Sequence, residues 1–549
     1  MFSRREWIAG TAFAAAAAGQ TKASSSTLAE RFDANVAHLI DAQNLDTGAR
    51  HRGGLVDSTG LYMPGSIAGL IEQFSAAYVW PQSKYRGNPL MVERLTLATQ
   101  YLERVMTKDG NINLLSTNFN SPPDTGFLMH GLCTAAFIAR KYKAKEIEDA
   151  LHPVLERAGD ALIKGGIHTP NHRWVVSAAM AQLNVLYPDP RLIKRIDQWL
   201  AEGIDIGPDG QFSERSTTVY SGVSDRAFTV MAAKLGRPEL LDPVRRNLNS
   251  LLYLLHPGGE VATDVSHRQD RNVRGTADRY WLPIRYLAVH DNNGVFESLG
   301  RQYASNGVSV PEMLEYGELV TAAVEPKPLP EDYRRTFPAL GIARVRRGPT
   351  SATLVLGGSD RFFSLRRGAV VVNAVRFATA FFGKGQFVPT LAVERDGGWY
   401  FEQNLEGPYY QPLEHPTAPI IAHEDFEASK KIRRQSEVGH LRQSAFLKET
   451  PKGFELRIAA SGTDEVPLSV EISFAPEGRL EGCTALHDVW LLEKDWATMR
   501  AGDSSIRFGP GHAEHRYVQL RGALPKLDGT SVYLTGSTPF DHTITFEFS

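Results

Sequence analysis

The sequence predicts an (α/α) toroid of helical hairpins followed by an antiparallel β-sandwich, and three observations carry that prediction. Apolar residues recur at amphipathic-helix spacing from Thr27 to about Val320. The stretch Val324-Glu325-Pro326-Lys327-Pro328-Leu329-Pro330 then breaks the pattern as a proline-rich linker. Beyond it, short β-rich runs separated by Gly, Pro and Asp turns take over, without helices between them.

The helical part can be followed run by run. Leu28, Phe32, Val36, Leu39 and Ile40 share one helix face, as do Ile67, Leu70, Ile71, Phe74, Ala77 and Tyr78. Further runs cover 90–105, 124–142, 147–163, 172–187, 191–201, 217–235, 240–255 and 277–290. Turn-rich joints divide them: Lys108-Asp109-Gly110, Pro188-Asp189-Pro190, Gly207-Pro208-Asp209-Gly210 and His256-Pro257-Gly258-Gly259. About ten or eleven helices with short joints imply stacked antiparallel hairpins. Asp124, His172, Tyr220 and His267 stand 48, 48 and 47 residues apart. That interval is the length of a two-helix unit, so successive hairpins would bring the four residues to one rim.

Strands are expected at 342–346, 351–357, 369–377, 453–459, 468–474, 505–508, 517–520 and 544–548. A chain of 549 residues exceeds one compact core. The expected division is a toroid over 27–320, a linker over 321–335 and a sandwich over 336–549. Before them, Ser3-Arg4-Arg5-Glu6-Trp7-Ile8 precedes an apolar stretch to Ala18 and a small-residue segment, Gln20 to Thr27. Residues 1–26 therefore resemble a twin-arginine export signal, and the expected location is the bacterial periplasm or the exterior.

Composition excludes several classes. Lys and Arg number 60 against 62 Asp and Glu, a formal net charge of −2. No polyanion-wide attraction follows, so nucleic acid is not an expected partner. The apolar N-terminal stretch is short for a bilayer, and stable membrane insertion is not expected. The two cysteines, Cys133 and Cys483, form neither a disulfide framework nor a metal knuckle.

Four segments carry chemistry. In Ser116 to Phe127, Asn118 and Asn120 flank Phe119, equipment suited to a sugar, with amides for hydroxyls and an aromatic face for the ring; Asp124 is also placed to cap the next helix. Thr169-Pro170-Asn171-His172-Arg173-Trp174 sets an amide, an imidazole, a guanidinium and an indole just before a helix. Asp209-Gly210 leads through Glu214 to Tyr220. Residues 264–285 hold five arginines against three aspartates, including His267, Arg268, Arg271, Asp278 and Tyr280. Arginine's planar fork suits carboxylates, which points to an acidic sugar. Each segment also has a structural reading: Asn171 as a cap, His172 and Tyr220 as core residues, the arginines as a solvated network.

Asn171-His172, followed by Asp209-Gly210, Glu214 and Tyr220, resembles the heparinase II/III-like and alginate-lyase-like polysaccharide lyases, which also place a β-sandwich after a toroid. The resemblance implies that Asn171 neutralises a uronate carboxylate, that His172 is base or second donor and that Tyr220 is the acid, with His267 matching a later histidine. Asn118, Asn120, Arg173, Trp174, Glu214, Arg268, Arg271 and Tyr280 would bind substrate. The chain departs from the family in having Ser221-Gly222-Val223-Ser224 where a second tyrosine often follows. The implied partner is an acidic oligo- or polysaccharide; a homo-oligomer is compatible with the sequence. No cofactor is required. His415, His423, His440 and His487 could supply a structural metal to the β part, although their spacing matches no zinc signature. The alternative is a toroid glycoside hydrolase acting on uronyl oligosaccharides, with a carboxylate pair drawn from Asp124, Glu214 and Asp278.

Overall fold

A computed structural model describes residues 27–415 and 419–548. The export-signal expectation for 1–26 lies outside them. The chain forms two compact units: one runs through Leu252 and resumes over Ser266–Leu329, and the other joins Tyr253–Val265 to the chain from Pro330 onward.

The first unit is the helical toroid. Its helices are α1 (Leu28–Ala42), α2 (Ile67–Val79), α3 (Pro89–Val105), α4 (Pro122–Tyr142), α5 (Lys145–Lys164), α6 (Pro170–Leu186) and α7 (Pro190–Ala201). They continue as α8 (Tyr220–Leu235), α9 (Asp242–Leu251), α10 (Trp281–His290), α11 (Gly294–Gly307), α12 (Val310–Glu315) and α13 (Gly317–Thr321). Proline stands in the first turn of α3, α4, α6, α7, α9 and α12, where its fixed φ suits helix entry and its missing N–H is no loss. The first helix opens with a capping box in which Thr27 and Glu30 satisfy each other's backbone N–H.

Packing sorts the helices into two layers. Helix α2 packs on α4, α4 on α6, α6 on α8 and α8 on α10, while α3, α5, α7, α9 and α11 each back their hairpin partner. The sequence explains the sorting. Helix α6 buries side chains around most of its circumference, among them Trp174, Val175, Ala178, Ala179 and Met180, whereas α7 buries only Leu192 and Ile196. Small residues let the inner helices approach: a Cβ on Gly131 would lie 2.9 Å from Ala68 Cβ, and one on Gly126 would lie 3.2 Å from Val176 Cγ1.

The ring is filled partly by charge. Helix α12 packs against α2 and α4. Its Glu312 pairs with Arg226, and its Glu315 accepts from Lys234 Nζ at 2.7 Å and Thr134 Oγ1 at 2.8 Å. One inner-helix carboxylate has no such partner. Asp225 on α8 is fully buried and neither oxygen is hydrogen-bonded, so burial raises its pKa well above the ordinary 3.8. In the unfolded chain the same group ionises near the ordinary value. The contribution of Asp225 to stability is therefore full below about pH 4 and declines as pH rises above it. Asp225→Asn is expected to melt several degrees above wild type at pH 8, with the gain vanishing near pH 4, in paired melting curves.

The second unit is the β-sandwich. Eight strands run in the order Arg479–Glu481, Ala497–Ala501, Ser504–Gly509, Phe540–Phe548, Gly453–Gly462, Gln435–Thr450, Gly398–Tyr410, Leu391–Arg395. The ten-stranded sheet centres on Pro467–Phe474, Val370–Thr379 and Phe363–Arg367 and ends at Asp332–Phe337. Pairing is antiparallel apart from Val489–Leu491 beside Thr530–Ser537. The inward faces meet in one core that includes Phe362, Phe363, Phe377, Trp399, Phe401, Phe454 and Phe546.

Three expectations need correction. Tyr253–Val265, expected within the helical part, belongs to the second unit, and α9 stops at Leu251 instead of reaching residue 255. The reason is fully buried Arg344, whose guanidinium donates to the carbonyls of Tyr253 (3.2 Å) and Leu255 (3.0 Å). His256 Nδ1 also lies 2.8 Å from Ser351 Oγ. Buried donors of this kind demand acceptors, and the excursion supplies them. In addition, residues 517–520 form no strand.

Candidate active site

Every inner helix begins at the same end of the ring, because outer helices return the chain between them. The joints leading into inner helices carry small β-elements at that end: bridges Gln43–Leu55, Val56–Tyr62 and Ile206–Phe212, and the hairpin Ile112–Leu114 with Asn118–Ser121. Asp124 lies in the first turn of α4, His172 in the first turn of α6, and Tyr220 opens α8. His267 lies in the joint before α10. The 48-residue interval is one hairpin with its joints.

Contacts knit this rim together. The Phe127 ring lies 6.1 Å from the His172 ring, edge to face, linking α4 to α6. Asn171 Nδ2 donates to Glu214 Oε2 at 2.5 Å, and Glu214's carbonyl accepts from the His267 N–H at 3.1 Å. Arg268 Nε stands 3.4 Å from Glu214 Oε1, and its guanidinium lies 4.9 Å from the centre of the Tyr220 ring. Gln269 Nε2 donates to the Tyr220 hydroxyl at 2.9 Å. Asn171, Glu214, Tyr220, His267 and Arg268 thus form one connected array, and His172, next to Asn171 in the chain, sets its ring against Phe127 and His168.

The array is poised to receive something. Asn171 is 2% exposed, its Oδ1 has no hydrogen-bond partner, and neither does Nδ1 of buried His172. The second Asn171 amide N–H makes only a 3.3 Å bond to Thr169 Oγ1, the bond an incoming acceptor would most readily displace. Burial, with further repulsion from His168 and Arg268, pushes the His172 pKa down to about 3. The imidazole is therefore neutral at ordinary pH. Burial also raises the Glu214 pKa, against the lowering pull of Asn171 and Arg268. His267 is more exposed; partial burial and the nearby Arg215 and Arg271 hold it below its usual value.

Several expected site residues do other work. Trp174 is fully buried against Phe228, with its indole N–H on Asp205 at 2.8 Å, so it is a packing residue and offers no sugar platform. Arg173 stacks on Trp174 and pairs with Glu202 and Asp205 at 3.2 Å each, which commits its guanidinium to holding the joint. Tyr280 is 1% exposed and its hydroxyl donates to the Thr217 carbonyl at 2.7 Å, beneath the rim instead of on it. Asn120 adopts a φ of 51° and its side chain bonds to Thr107, Asn111 and Asp109; it shapes the hairpin turn.

Asn118 donates to Asp124, and Phe119 between these two asparagines is 67% exposed. Asp124 does not cap α4: Ser121 does, accepting from the Asp124 N–H, and its hydroxyl donates to the Asp124 carboxylate. Likewise Asn171 does not cap α6, whose cap position is Thr169. Asp278 accepts from Thr276 and opens a 3₁₀ turn. Arg271 is exposed. Sequence reasoning passed over Asp205, Gln269 and Asp270, whose bonds to Trp174, to Tyr220 and to Ser216 and Thr218 respectively span tens of residues.

Among the described residues, no group of three or more His, Cys, Asp or Glu side chains is arranged to hold a metal ion, the β-unit histidines included. No helix of the described residues is long and apolar enough to cross a membrane.

No protein-family model matches the chain, and neither does any curated protein. Solved structures do. The chain is similar to the chondroitin AC lyase of Streptomyces coelicolor A3 in complex with chondroitin sulphate, with a TM-score of 0.53 and 15% identity over 99% of this chain and 82% of that one. Xanthan lyase from Paenibacillus gives 0.53 and 10% identity over 94% of this chain and 56% of its own. A mutant of heparan sulfate lyase HepC from Pedobacter heparinus gives 0.50 and 10% identity, over 97% and 85%. At these identities the likeness is one of fold. That fold is the toroid-plus-sandwich fold of these polysaccharide lyases.

Proposed function

We propose that the protein is a polysaccharide lyase that cleaves a uronic-acid-containing glycan by β-elimination. The observation that carries this reading is the rim array, in which an under-used amide, a neutral imidazole, a tyrosine hydroxyl and an arginine converge from three helix entries. A uronate's C5 proton is weakly acidic because the adjacent carboxylate is already anionic. Asn171 and Arg268 neutralise that carboxylate, so it can accept enolate charge, and the gain falls mainly in the transition state. His172 takes the C5 proton. Its low pKa in the free protein reflects burial beside cationic neighbours, and the entering carboxylate supplies the negative charge that raises its proton affinity. Tyr220 protonates the departing glycosidic oxygen.

The remaining assignments extend the same reading. Phe119, Asn118 and Arg271 would contact flanking sugars, and His267 would serve as a second polar contact. The paired arginines before the apolar N-terminal stretch support a periplasmic or secreted location.

The direct test is optical. Elimination across C4–C5 conjugates a new double bond with the carboxylate, so digestion of glucuronate-, iduronate- or mannuronate-containing polymers is expected to generate ultraviolet absorbance in step with new reducing ends. Reducing ends without absorbance would replace elimination with hydrolysis and return attention to Glu214, Asp124 and Asp278.

A further inference from the structure

We propose that Asp270, to which no role has been assigned, is the positioning carboxylate of this site: it sets Tyr220 and Arg268 against each other without touching substrate. The inference rests on the lyase reading of Tyr220 and Arg268. Asp270 is 2% exposed. One oxygen accepts from Ser216 Oγ at 3.0 Å, Thr218 Oγ1 at 2.9 Å and the Thr218 N–H at 3.2 Å. The other accepts from Ser266 Oγ. An ionised carboxylate accepts without donating, at about four lone-pair sites, and four donors meet it here.

Two of those hydroxyls hand the constraint on. Ser216 Oγ accepts the backbone N–H of Tyr220 at 3.1 Å, and Ser266 Oγ accepts that of Arg268 at 3.0 Å. One buried anion thereby fixes the entry of α8 and the joint before α10. The chain spells the arrangement in alternation: Ser216-x-Thr218-x-Tyr220 on one side, Ser266-x-Arg268-x-Asp270 on the other. The outcome is the geometry already described, with Arg268 over the Tyr220 ring and Gln269 on its hydroxyl. The Tyr280 hydroxyl on the Thr217 carbonyl supports the same turn from below. Asparagine at position 270 would replace one acceptor oxygen by a donor facing donors, loosening the turn while keeping its volume.

The experiment compares wild type, Asp270→Asn, Tyr220→Phe and the double variant as full chains, by the rise in ultraviolet absorbance on a uronate polymer. Asp270→Asn is expected to lower kcat by roughly 10²-fold, the scale of a misplacement near 1 Å, with KM changing by less than about threefold. Because Asp270 acts through Tyr220 and Arg268, the double variant is expected to lose less than the product of the two single losses. Should Asp270→Asn fail to fold, Ser266→Ala and Thr218→Val each remove one donor and are expected to reduce kcat in the same non-additive way. An active wild type with unchanged kcat in these variants, or with losses that multiply onto Tyr220→Phe, overturns the positioning role alone. A wild type that forms no chromophore on any uronate polymer overturns the lyase reading, and this proposal with it.

Discussion

Tyr220→Phe is expected to slow cleavage of a uronate polymer by about 10²–10⁴, the usual contribution of a positioned proton donor. The substitution deletes one oxygen and keeps the ring that lies beneath Arg268. The hydroxyl's one described bond is to Gln269, at a partly exposed position, so melting temperature should hardly move. Steady-state rates by absorbance and reducing ends, with a melting curve alongside, separate these effects. A variant with near wild-type kcat would remove Tyr220 from the chemistry. In a hydrolase, Glu214→Gln or Asp124→Asn would instead be the crippling change.

Asn171→Ala is expected to lower turnover by about 10²–10³, as removal of a donor to a developing oxyanion does. The fold should register this change too. Asn171 does not cap α6, yet its amide is bonded to the buried carboxylate of Glu214. Its loss leaves a buried acceptor short of a donor, which costs about 1–3 kcal/mol. Glu214→Gln gives the matching control, because it removes the buried carboxyl while Asn171 stays. If Asn171→Ala lost stability by this amount yet kept full kcat, the residue would be a structural tie to Glu214 and nothing more.

The fold was legible wherever burial followed a simple period. Inner helices such as α4 and α6 repeat apolar and small residues around much of their circumference, and central strands such as Val370–Thr379 are nearly continuous runs. The long hairpin of Gly398–Tyr410 and Gln435–Thr450 was not. Its outward faces are polar, Pro408 interrupts one strand, and on the other the buried alternation of Leu441, Ala445 and Leu447 is broken by a buried Gln443. Gln443 bonds to Thr379 and to the Gly385 carbonyl, and the local sequence does not reveal those partners.

The site divides along similar lines. Asn171, His172 and Tyr220 stood out because a proline-led joint and a glycine turn set polar groups at helix entries. Trp174 was misread because its place beside them hid its helical phase: three residues beyond Asn171, it faces Phe228 across the inner layer. Asp270 left only Ser266 as a local partner, and its meaning lies chiefly in hydroxyls 52 and 54 positions earlier.

The excursion of Tyr253–Val265 into the β unit has a consequence for how the protein can be made. A gene cut between the two halves, at the proline-rich stretch, would release a helical product with thirteen residues whose acceptors still await Arg344 and whose His256 has no Ser351. During synthesis the same holds in time: helices α10 to α13 leave the ribosome before the strands that Tyr253–Val265 must join. Neither half is a cassette. Circular permutation at a surface turn within the sandwich keeps all three chain passages between the units intact, whereas truncation near residue 330 removes the residues that Tyr253–Val265 packs with.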